Sequence, residues 1–417
     1  MDNEIASIGN SGLFDKQWYL NRYPDVKEAG LDPVSHFILY GAKEGKQPNP
    51  LFATKWYLTK HPEIAATGIN PLIHYTRFAT VEGHDPNPLF NSLWYLRQNP
   101  DVAQSGINPL EHYLHLGHAE KRSLLEPDSP ATLTLTKTEK VAVICHVFYA
   151  EMWTQLSTCI RNIPVKYDLY VSIPRGVPVE LRKKIRSDFP SAHIKTVENI
   201  GGDIQPFMFF LEEIYQKGYS VFCKIHTKKG TTSYREIWKD ALLMAVLGSK
   251  PNVINILNAF DADDELAHVG SALLYKSAKT HGGINRPFME QIHAVLYPEE
   301  AFPEDFGFFA GTMFWGRTSV FIPLTRAIRE HFPFEKEELV IDGQLAHAVE
   351  RMFGAVVYKE KLKVGLVCNE LGIMQSRLLQ ICESGIMPSK DEVDDTLIEL
   401  YEQYQYVYSD LTNPVKP

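Results

Sequence analysis

The sequence lacks the segments that would carry it into or across a membrane. It contains no uncharged apolar run of ~18 residues, the length that a membrane-spanning helix needs. Residues 1–12 also lack the basic and apolar regions of a secretory signal. These absences predict a cytoplasmic protein that is at most peripheral at the inner face of the membrane.

Cysteines and clusters of positive charge are scarce as well. The five cysteines include no Cys-x-x-Cys pair, and Cys145 and Cys223 lie within apolar runs, which predicts reduced thiols in the core. The formal net charge is -9 and there is no basic block, which argues against nucleic acid as a partner. An anionic ligand would need a local cluster, and the segment from Lys224 to Lys229 supplies one.

A repeat occupies the N-terminal third of the 417-residue chain, which is long enough for two or more cores. Trp18, Trp56 and Trp94 each open a Trp-Tyr-Leu triplet and are 38 residues apart. We number the three repeats from residues 13, 51 and 89, where each begins with Leu-Phe. Such a period is typical of stacked helical units that bury their apolar faces against one another.

Each repeat contains signals for helix ends. A glycine is followed two residues later by Asp or Asn and then by proline, in the pairs Gly30 and Asp32, Gly68 and Asn70, and Gly106 and Asn108. The glycine permits a left-handed helix end, and the Asp or Asn side chain caps the helix that follows. The sequence therefore predicts two short helices in each repeat.

A histidine recurs in phase with the tryptophans, at His36, His74 and His112. A ladder of metal sites and a glycan platform of stacked aromatics are two interpretations of this period. Core packing is the favoured interpretation, because periodic histidine or aromatic positions at helical spacing usually face the core. The repeats would then be a spacer, or a docking module for a partner protein or for peripheral contact with a membrane.

The composition predicts five segments. Residues 1–12 are predicted to be disordered, 13–123 to form the all-α repeat domain, and 124–139 to form a linker rich in Pro, Ser and Thr. Residues 140–382 are predicted to form an α/β domain, and 383–417 a helical tail with an acidic amphipathic stretch.

Apolar runs alternate with helical patterns in the α/β domain. Strands are predicted at 141–145, 167–173, 193–197 and 219–225, with helices between them at 151–162, 179–189 and 206–217. This alternation is typical of a doubly wound parallel sheet, in which ligands bind outside the carboxyl ends of the strands.

Two of these strands end in polar or glycine-rich motifs. The third is followed by Asn199-Ile200-Gly201-Gly202-Asp203, where glycine lets the backbone approach a ligand and the next helix points its amino end toward it. The fourth ends in His226-Thr227-Lys228, which offers an imidazole, a hydroxyl and an ammonium group.

Together with the segments Ala310 to Trp315 and Asp342 to Arg351, these motifs resemble the rhamnan synthesis protein F family of bacterial glycosyltransferases. The resemblance covers roughly Lys140 to Val367. It implies a GT-A-like, Rossmann-type fold and a nucleotide-sugar enzyme of surface polysaccharide assembly. Trp-Tyr-Leu repeats like those upstream are also familiar beside such enzymes.

The resemblance implies roles for particular residues. Asp342 stands where inverting GT-A enzymes have their catalytic base. A helix cap is its other possible role, and the two roles do not exclude each other. Donor contacts are expected from His146, Tyr149, Asn199, Gly201, Asp203, His226, Thr227 and Lys228. Contacts with the acceptor or the transferred sugar are expected from Gly311, Thr312, Trp315, His347, Glu350 and Arg351. For Trp315, a sugar platform and core packing are equally favoured.

No metal cofactor is expected. A metal-binding Asp-x-Asp usually ends the strand that here delivers His226-Thr227-Lys228, so fixed cations would have to neutralise the departing diphosphate. An Asp-x-Asp does occur at Asp261-Ala262-Asp263. We reject it as a metal site because it lies in a predicted connecting loop, where carboxylates usually serve as caps and turns.

The predicted reaction is an inverting displacement by a glycan or lipid-linked saccharide acceptor on a nucleotide sugar. The favoured donor is dTDP-L-rhamnose, and UDP-galactofuranose is an alternative, because donor choice depends on a few pocket contacts. Two further alternatives stay open. One is a metal-dependent transferase that uses Asp261 and Asp263, and the other is a non-catalytic, glycan-binding assembly scaffold.

Overall fold

A computed structural model of the protein describes residues 2–87, 90–120, 122, 124, 131–136, 140–229, 233–335, 342–367 and 379–383. These residues fall into two compact units, one that ends at residue 127 and one that begins at residue 128. Residues 384–417 of the predicted helical tail lie outside the described residues.

The described part of the first unit is entirely helical. Its helices are α1 (Asp2–Gly9), α2 (Lys16–Arg22), α3 (Pro24–Glu28), α4 (Pro33–His36), α5 (Thr54–Lys60), α6 (Pro62–Thr67), α7 (Pro71–Glu82), α8 (Ser92–Gln98), α9 (Pro100–Ser105) and α10 (Pro109–His112). Short π-helical segments, Phe37–Gly41 and Tyr113–Gly117, extend α4 and α10. The presence of α1 shows that the prediction of disorder for residues 1–12 is wrong. Ile8 is fully buried, and this apolar contact anchors the helix.

Three helices recur in each repeat, where two were predicted. The Trp-Tyr-Leu triplets lie in α2, α5 and α8, and a recurring proline starts α3, α6 and α9 as separate helices. The third helix of each repeat follows the predicted cap. The side chains of Asp32, Asn70 and Asn108 accept hydrogen bonds from backbone N–H groups of these helices, which confirms the capping prediction.

The tyrosine of each triplet is fully buried and contacts the phased histidine. The hydroxyl-to-Nδ1 distances are 3.0, 3.0 and 2.9 Å for the pairs Tyr19 and His36, Tyr57 and His74, and Tyr95 and His112. The periodic histidines therefore lie in the packed interior, as the core-packing interpretation expects.

In each of the first two repeats, the last residues are hydrogen-bonded to the first. The side-chain amide of Asn49 donates to the Leu13 carbonyl at 2.7 Å, and that of Asn87 donates to the Leu51 carbonyl at 2.5 Å. Backbone hydrogen bonds of 3.0 and 3.1 Å join the same ends. The chain thus returns, after each of these turns, to within hydrogen-bonding distance of where the turn began.

The second unit is built on an eight-stranded sheet with the order β10-β9-β5-β8-β4-β1-β2-β3, beside a separate β6-β7 pair. The strands are β1 (Val141–His146), β2 (Tyr167–Pro174), β3 (His193–Val197), β4 (Val221–His226), β5 (Leu266–Ser271), β6 (Tyr275–Ser277), β7 (Gly307–Phe309), β8 (Phe314–Arg317), β9 (Lys363–Val367) and β10 (Leu379–Glu383). The strands β1 to β4 run parallel, which confirms the predicted α/β class for this half of the sheet.

The helices of this unit are α11 (Trp153–Ile160), α12 (Val179–Asp188), α13 (Ile204–Gln216), α14 (Ser233–Leu247), α15 (Lys250–Ala262), α16 (Ala278–His281), α17 (Arg286–Leu296), α18 (Thr318–His331) and α19 (Leu345–Lys359). A ring cluster holds two of them against the sheet. Phe207 of α13 and Phe353 of α19 contact each other, and both contact Phe314 of β8. Aromatic burial of this kind fixes α13 and α19 beside each other.

The segment from Phe306 to Phe314 contributes to two sheets. The strand β7 pairs with β6, whereas β8 enters the main sheet between β4 and β5 and runs antiparallel to both. Phe314, the first residue of β8, is paired with Lys224 near the carboxyl end of β4. The loop before β8 therefore reaches the edge of the sheet at which the parallel strands end.

Part of the predicted linker lies on α15. The backbone N–H of Thr134 donates to the Asn258 side chain at 2.9 Å, and the N–H and hydroxyl of Thr136 both donate to an Asp261 carboxylate oxygen at 2.8 Å. These hydrogen bonds hold residues 131–136 against α15 within the second unit.

Candidate active site

The carboxyl ends of β1 and β4 lie side by side. His146 and His226, the last residues of these strands, are paired in register. The chain adds β2 and β3 on one side of β1 and β4 on the other, so the strand order reverses between β1 and β4. In open α/β sheets this reversal point opens a crevice in which ligands bind.

A buried lysine lies just below this edge. Lys224 of β4 has a side chain that is 1% exposed, and its Nζ contacts the Asp203 carboxylate and, at 2.9 Å each, the carbonyl and hydroxyl oxygens of Thr312. Burial opposes ionisation of Asp203, but the charges of His226 and Lys224 together hold the pKa of this carboxyl well below its usual range. The two groups therefore form an ion pair in which the ammonium is fully buried and the carboxylate is mostly buried, with 19% of its side chain exposed.

The ion pair holds a loop with an unusual backbone. Gly311 has φ of 94°, and Thr312 has φ of 55°, which a side chain with a branched Cβ rarely adopts. The Thr312 hydroxyl donates to Asp203 at 2.7 Å, and the Gly311 N–H donates to Glu350 at 2.7 Å. Strain of this kind is kept only where the surroundings impose it, and it is frequent at functional sites.

The two strand-end histidines are nearly buried. His226 has its Nε2 2.8 Å from the Gly311 carbonyl and its Nδ1 3.1 Å from the Thr227 carbonyl. It was predicted to contact the donor directly, but in this structure both ring nitrogens face backbone carbonyls and the ring supports the Gly311 loop. His146 has its Nδ1 2.9 Å from the Ser172 hydroxyl, and burial lowers its pKa to about 4. His146 is therefore neutral at physiological pH.

Thr227 ties the end of β4 to the loop that follows β1. Its hydroxyl oxygen accepts hydrogen bonds from the N–H groups of Phe148 and Tyr149, at 2.8 and 3.0 Å. Lys228 is half-buried at this edge. Tyr149 is likewise half-buried and carries the ammonium of Lys229 5.7 Å from its ring centroid. The site thus has a cationic rim above a buried, paired interior.

The glycine motif after β3 lies next to the buried ion pair. Asp203 directly precedes the first residue of α13, and Gly201 has φ of 62°. A Cβ at Gly201 would lie 2.5 Å from the Phe334 ring, so the position requires glycine. Asn199, in contrast, is exposed. The motif therefore brings Asp203 and the amino end of α13 to the crevice.

Asp342 lies in a separate arrangement at the amino end of α19. Its Oδ1 accepts a hydrogen bond from the Asn285 side-chain amide at 2.6 Å and is 3.5 Å from the Arg351 guanidinium. About a third of its side chain is exposed, so the carboxylate is accessible. The alternative role of Asp342 as a helix cap is wrong, because α19 begins at Leu345 and Gln344 is its cap residue.

The first turns of α19 connect Asp342 to the buried ion pair. His347 forms a capping box with Gln344, and burial lowers its pKa although the carboxylates of Glu350, Asp342 and Asp203 oppose this effect. Glu350 contacts Gly311, and Arg351 contacts the carbonyls of His281 and His347. Asp342, His347, Glu350 and Asp203 therefore share one electrostatic neighbourhood.

Trp315 is not a sugar platform. The ring is fully buried, and its indole N–H donates to the Val246 carbonyl at 2.9 Å. A stacking platform needs an accessible ring face, so the core-packing alternative is correct.

This correction predicts the effect of Trp315→Phe. The substitution should lower the free energy of unfolding by about 1–3 kcal/mol, because the Val246 carbonyl loses its donor in the core. The donor KM should stay unchanged. Urea unfolding and initial-rate kinetics would check both values, and a selective rise in KM at unchanged stability would contradict the structural assignment.

Asn285 is fully buried, and its side chain contacts both the Asp342 carboxylate and the backbone of the next residue. Its amide donates to Asp342, and its carbonyl oxygen accepts from the Gly343 N–H at 3.1 Å. We expect Asn285→Leu to lower kcat about 100-fold with little change in donor affinity, since small misplacement of a reacting group has effects of this size. Asn285→Gln would serve as the polar control. Equal kcat for the Asn285→Leu variant and the wild-type protein, measured at saturating donor, would contradict the positioning role.

The Asp-x-Asp of the sequence lies at the opposite edge of the sheet. Asp261 is in the last turn of α15 and Asp263 caps it, just before β5 begins at its amino end. Asp261 accepts hydrogen bonds from Thr136, and Asp263 is 3.1 Å from the Lys363 ammonium. Both carboxylates therefore have structural partners away from the β1 and β4 edge.

Ser172 and Asn285 lie outside the predicted set and hold the site together, as does Lys224, which was predicted only as part of a basic cluster and is instead paired with Asp203. Lys224 leaves a signal in the sequence, because a single lysine interrupts the apolar run Val221 to Ile225. Ser172 and Asn285 leave none, since their partners are 26 and 57 residues away in the chain.

A comparison with models of protein families shows the family to which the chain belongs. The model described as "Rhamnan synthesis protein F" matches residues 110–362, which is more than half of the chain. The chain therefore belongs to the rhamnan synthesis protein F family, as the motifs predict.

Two curated relatives share this region. Each is called "Uncharacterized protein WxcX" and comes from Xanthomonas campestris pv. campestris, one from strain B100 with 27% identity over 251 residues and one from a second strain with 28% over 253. Each alignment covers 60% of this chain and only 36% of the relative. The chain thus matches about a third of the length of these relatives.

None of the helices in the described part of the chain combines the length and apolar composition that crossing a membrane requires.

Proposed function

We propose that the protein is a glycosyltransferase of surface polysaccharide synthesis, with a GT-A-like second unit that binds a nucleotide sugar. The observation that carries this proposal is the strand-order reversal between β1 and β4, at which the family motifs converge. Membership of the rhamnan synthesis protein F family supports the proposed role in polysaccharide synthesis. The crevice offers glycine-rich backbone, the amino end of α13 and a lysine rim, which suit a diphosphate.

The proposed reaction is a single displacement with inversion. The acceptor hydroxyl oxygen attacks the anomeric carbon, Asp342 takes its proton, and the bond from that carbon to the nucleoside diphosphate breaks with the electron pair leaving on the phosphate. Asp342 suits this role because its carboxylate is partly exposed and is held by Asn285 and Arg351. A positioned general base is typically worth ~10²–10⁴-fold in rate.

Charge on the departing diphosphate is proposed to be met without a metal cofactor. Thr227 and Lys228 directly follow β4, at the place where an acidic motif would be needed to hold a divalent ion. Lys228 on the rim is the proposed direct contact, and Tyr149 the proposed ring beside the donor. Fixed cations can stabilise such charge because they need no reorganisation during the reaction.

The proposed donor is dTDP-L-rhamnose, with UDP-galactofuranose as the alternative, and the proposed acceptor is a glycan or a lipid-linked saccharide. Thr312 contacts Lys224 of the ion pair and Gly311 contacts Glu350 of α19, and these two loop residues and Glu350 are proposed to shape the sugar pocket. The first unit is proposed to dock a partner protein or to support peripheral contact at the cytoplasmic face of the membrane.

The test is sugar-nucleotide transfer by the purified full-length protein over a panel of donors and oligosaccharide acceptors, with and without EDTA. Turnover of one donor that survives EDTA would support the proposal and identify the sugar. Turnover that EDTA abolishes would favour the metal-dependent alternative. Absence of donor binding by calorimetry across the panel, with the protein folded, would overturn the enzyme proposal in favour of the scaffold.

A further inference from the structure

The three repeats differ in how they fill one equivalent position. In the first repeat, Lys46 places its ammonium 2.6 Å from Glu44 and 3.1 Å from Asp25. In the third, Arg122 places its guanidinium 2.5 Å from Glu120 and 2.9 Å from Asp101. Both repeats thus hold a fixed cation between two carboxylates that come from different helices or their ends.

The second repeat keeps the carboxylates but has no lysine or arginine there. At the 38-residue spacing, Glu82 and Glu63 replace the two acidic residues, and His84 stands at the position of the cation. A further histidine, His61, replaces a tyrosine in the first repeat and an asparagine in the third. The phased His74 has an equivalent in each of the other repeats. The second repeat therefore combines three imidazoles with two carboxylates.

The side chains of this position converge on one point. Nε2 of His84 is 3.4 Å from the Glu82 carboxylate, and Nε2 of His74 is 3.8 Å from the same oxygen. One ligand atom from each of the three residues lies within 4.8 Å of the others. Two ligands of a tetrahedral zinc ion, each ~2.0–2.1 Å from the metal, are ~3.4 Å apart, so only small side-chain movements separate this geometry from a coordination site.

The surrounding contacts orient the two imidazoles for ligation. The Tyr57 hydroxyl oxygen is 3.0 Å from Nδ1 of His74 and 3.2 Å from Nδ1 of His84. If each Nδ1–H donates to this oxygen, both rings present an unprotonated Nε2 toward Glu82. Metal-ligating histidines characteristically donate their second nitrogen in this way. The His61 ring stacks on His84 with centroids 4.1 Å apart and so restricts its orientation.

We propose that the second repeat binds a divalent transition metal, of the class that imidazole and carboxylate select and represented by Zn²⁺, through His74, Glu82 and His84. The metal takes the place of the ammonium and guanidinium groups of the neighbouring repeats and joins α7 to the segment that follows it. Three protein ligands leave one coordination position for water or for a group of a docked partner. This proposal does not rest on glycosyl transfer, and the site uses none of the residues proposed to catalyse that reaction.

The other repeats supply matched variants. The His84→Lys variant has in the second repeat the lysine that the first repeat has at this position. The new ammonium can pair with Glu82 and Glu63, so the protein should fold while losing one of the three proposed metal ligands. Lys46→His gives the first repeat the same three ligand types, with His36 and Glu44 already present. We expect the metal site to follow these exchanges in both directions.

The experiment is calorimetric titration of the EDTA-stripped full-length protein with Zn²⁺, with Co²⁺ absorption as a spectroscopic check of coordination. Wild type should bind one equivalent. The His84→Lys variant should bind Zn²⁺ more than about 100-fold more weakly than wild type, because loss of a ligand should exceed the 10–100-fold effect of losing a residue that only hydrogen-bonds to a ligand. The Lys46→His variant should bind a second equivalent of Zn²⁺. Thermal unfolding would confirm that the variants fold and that Zn²⁺ raises the wild-type midpoint.

Equal Zn²⁺ affinity in wild type and His84→Lys would overturn the proposal, as would no binding by wild type. Glu82→Gln provides a second test should His84→Lys fail to fold. Each readout is metal binding, so an inactive transferase would leave the result interpretable.

Discussion

Asp342→Asn is expected to lower kcat by ~10²–10⁴-fold while leaving donor affinity and stability close to wild type. The amide cannot take the acceptor proton. It retains the shape of the carboxylate and an oxygen that can accept the Asn285 hydrogen bond, so the local structure should survive. Initial rates with the donor identified in the panel, together with calorimetric donor binding, would separate the loss of chemistry from a loss of binding.

The matched control for this experiment is Asp263→Asn. Asp263 lies at the amino edge of the sheet and contacts Lys363, so its loss should have little effect on kcat if Asp342 is the base. The metal-dependent alternative makes the reverse prediction. A rate for Asp342→Asn within about threefold of wild type would remove Asp342 from the mechanism, whatever the control shows.

Lys224→Met is expected to give the largest loss of stability, about 3–5 kcal/mol, because it leaves the Asp203 carboxylate without its buried partner. The effect should extend to the Gly311 loop, since Lys224 also holds the carbonyl and hydroxyl of Thr312. Hydrogen exchange of peptides that contain β4 would report on this unit alone and would measure the change where it arises.

The double variant Lys224→Met with Asp203→Asn tests the cause. Replacing both members of a buried pair is often nearly neutral, so most of the protection lost in the single variant should return. If the single variant exchanges β4 amides as slowly as wild type, the ion pair has no stabilising role. If the double variant is no better than the single one, the loss comes from packing around the methylene chain.

Local patterns in the sequence predict much of the parallel half of the sheet. The strand predicted at Val141 to Cys145 is confirmed to within one residue. The apolar residues that specify it are consecutive in the sequence, so the pattern can be recognised without the fold. The caps Asp32, Asn70 and Asn108 are confirmed for the same reason. In each case the interacting groups are separated by only a few residues.

Features that depend on distant partners could not be predicted. The antiparallel entry of β8 is decided by pairing with β4 and β5, which come much earlier in the chain. The sequence does not decide between a sugar platform and core packing for Trp315, because only the fold shows Val246 as its partner. A helix cap is a possible role for Asp342 from the sequence alone, because the sequence does not show that Asn285 and Arg351 contact this carboxylate.

The closure of the repeats has a consequence for how such a chain can change in length. Because Asn49 meets Leu13 and Asn87 meets Leu51, the entry and exit of one turn nearly coincide. Removing or duplicating a block of 38 residues would join ends that already lie together, whereas any other number would pull the hydrogen-bonded ends apart. The first unit can therefore lengthen or shorten only by whole repeats of 38 residues.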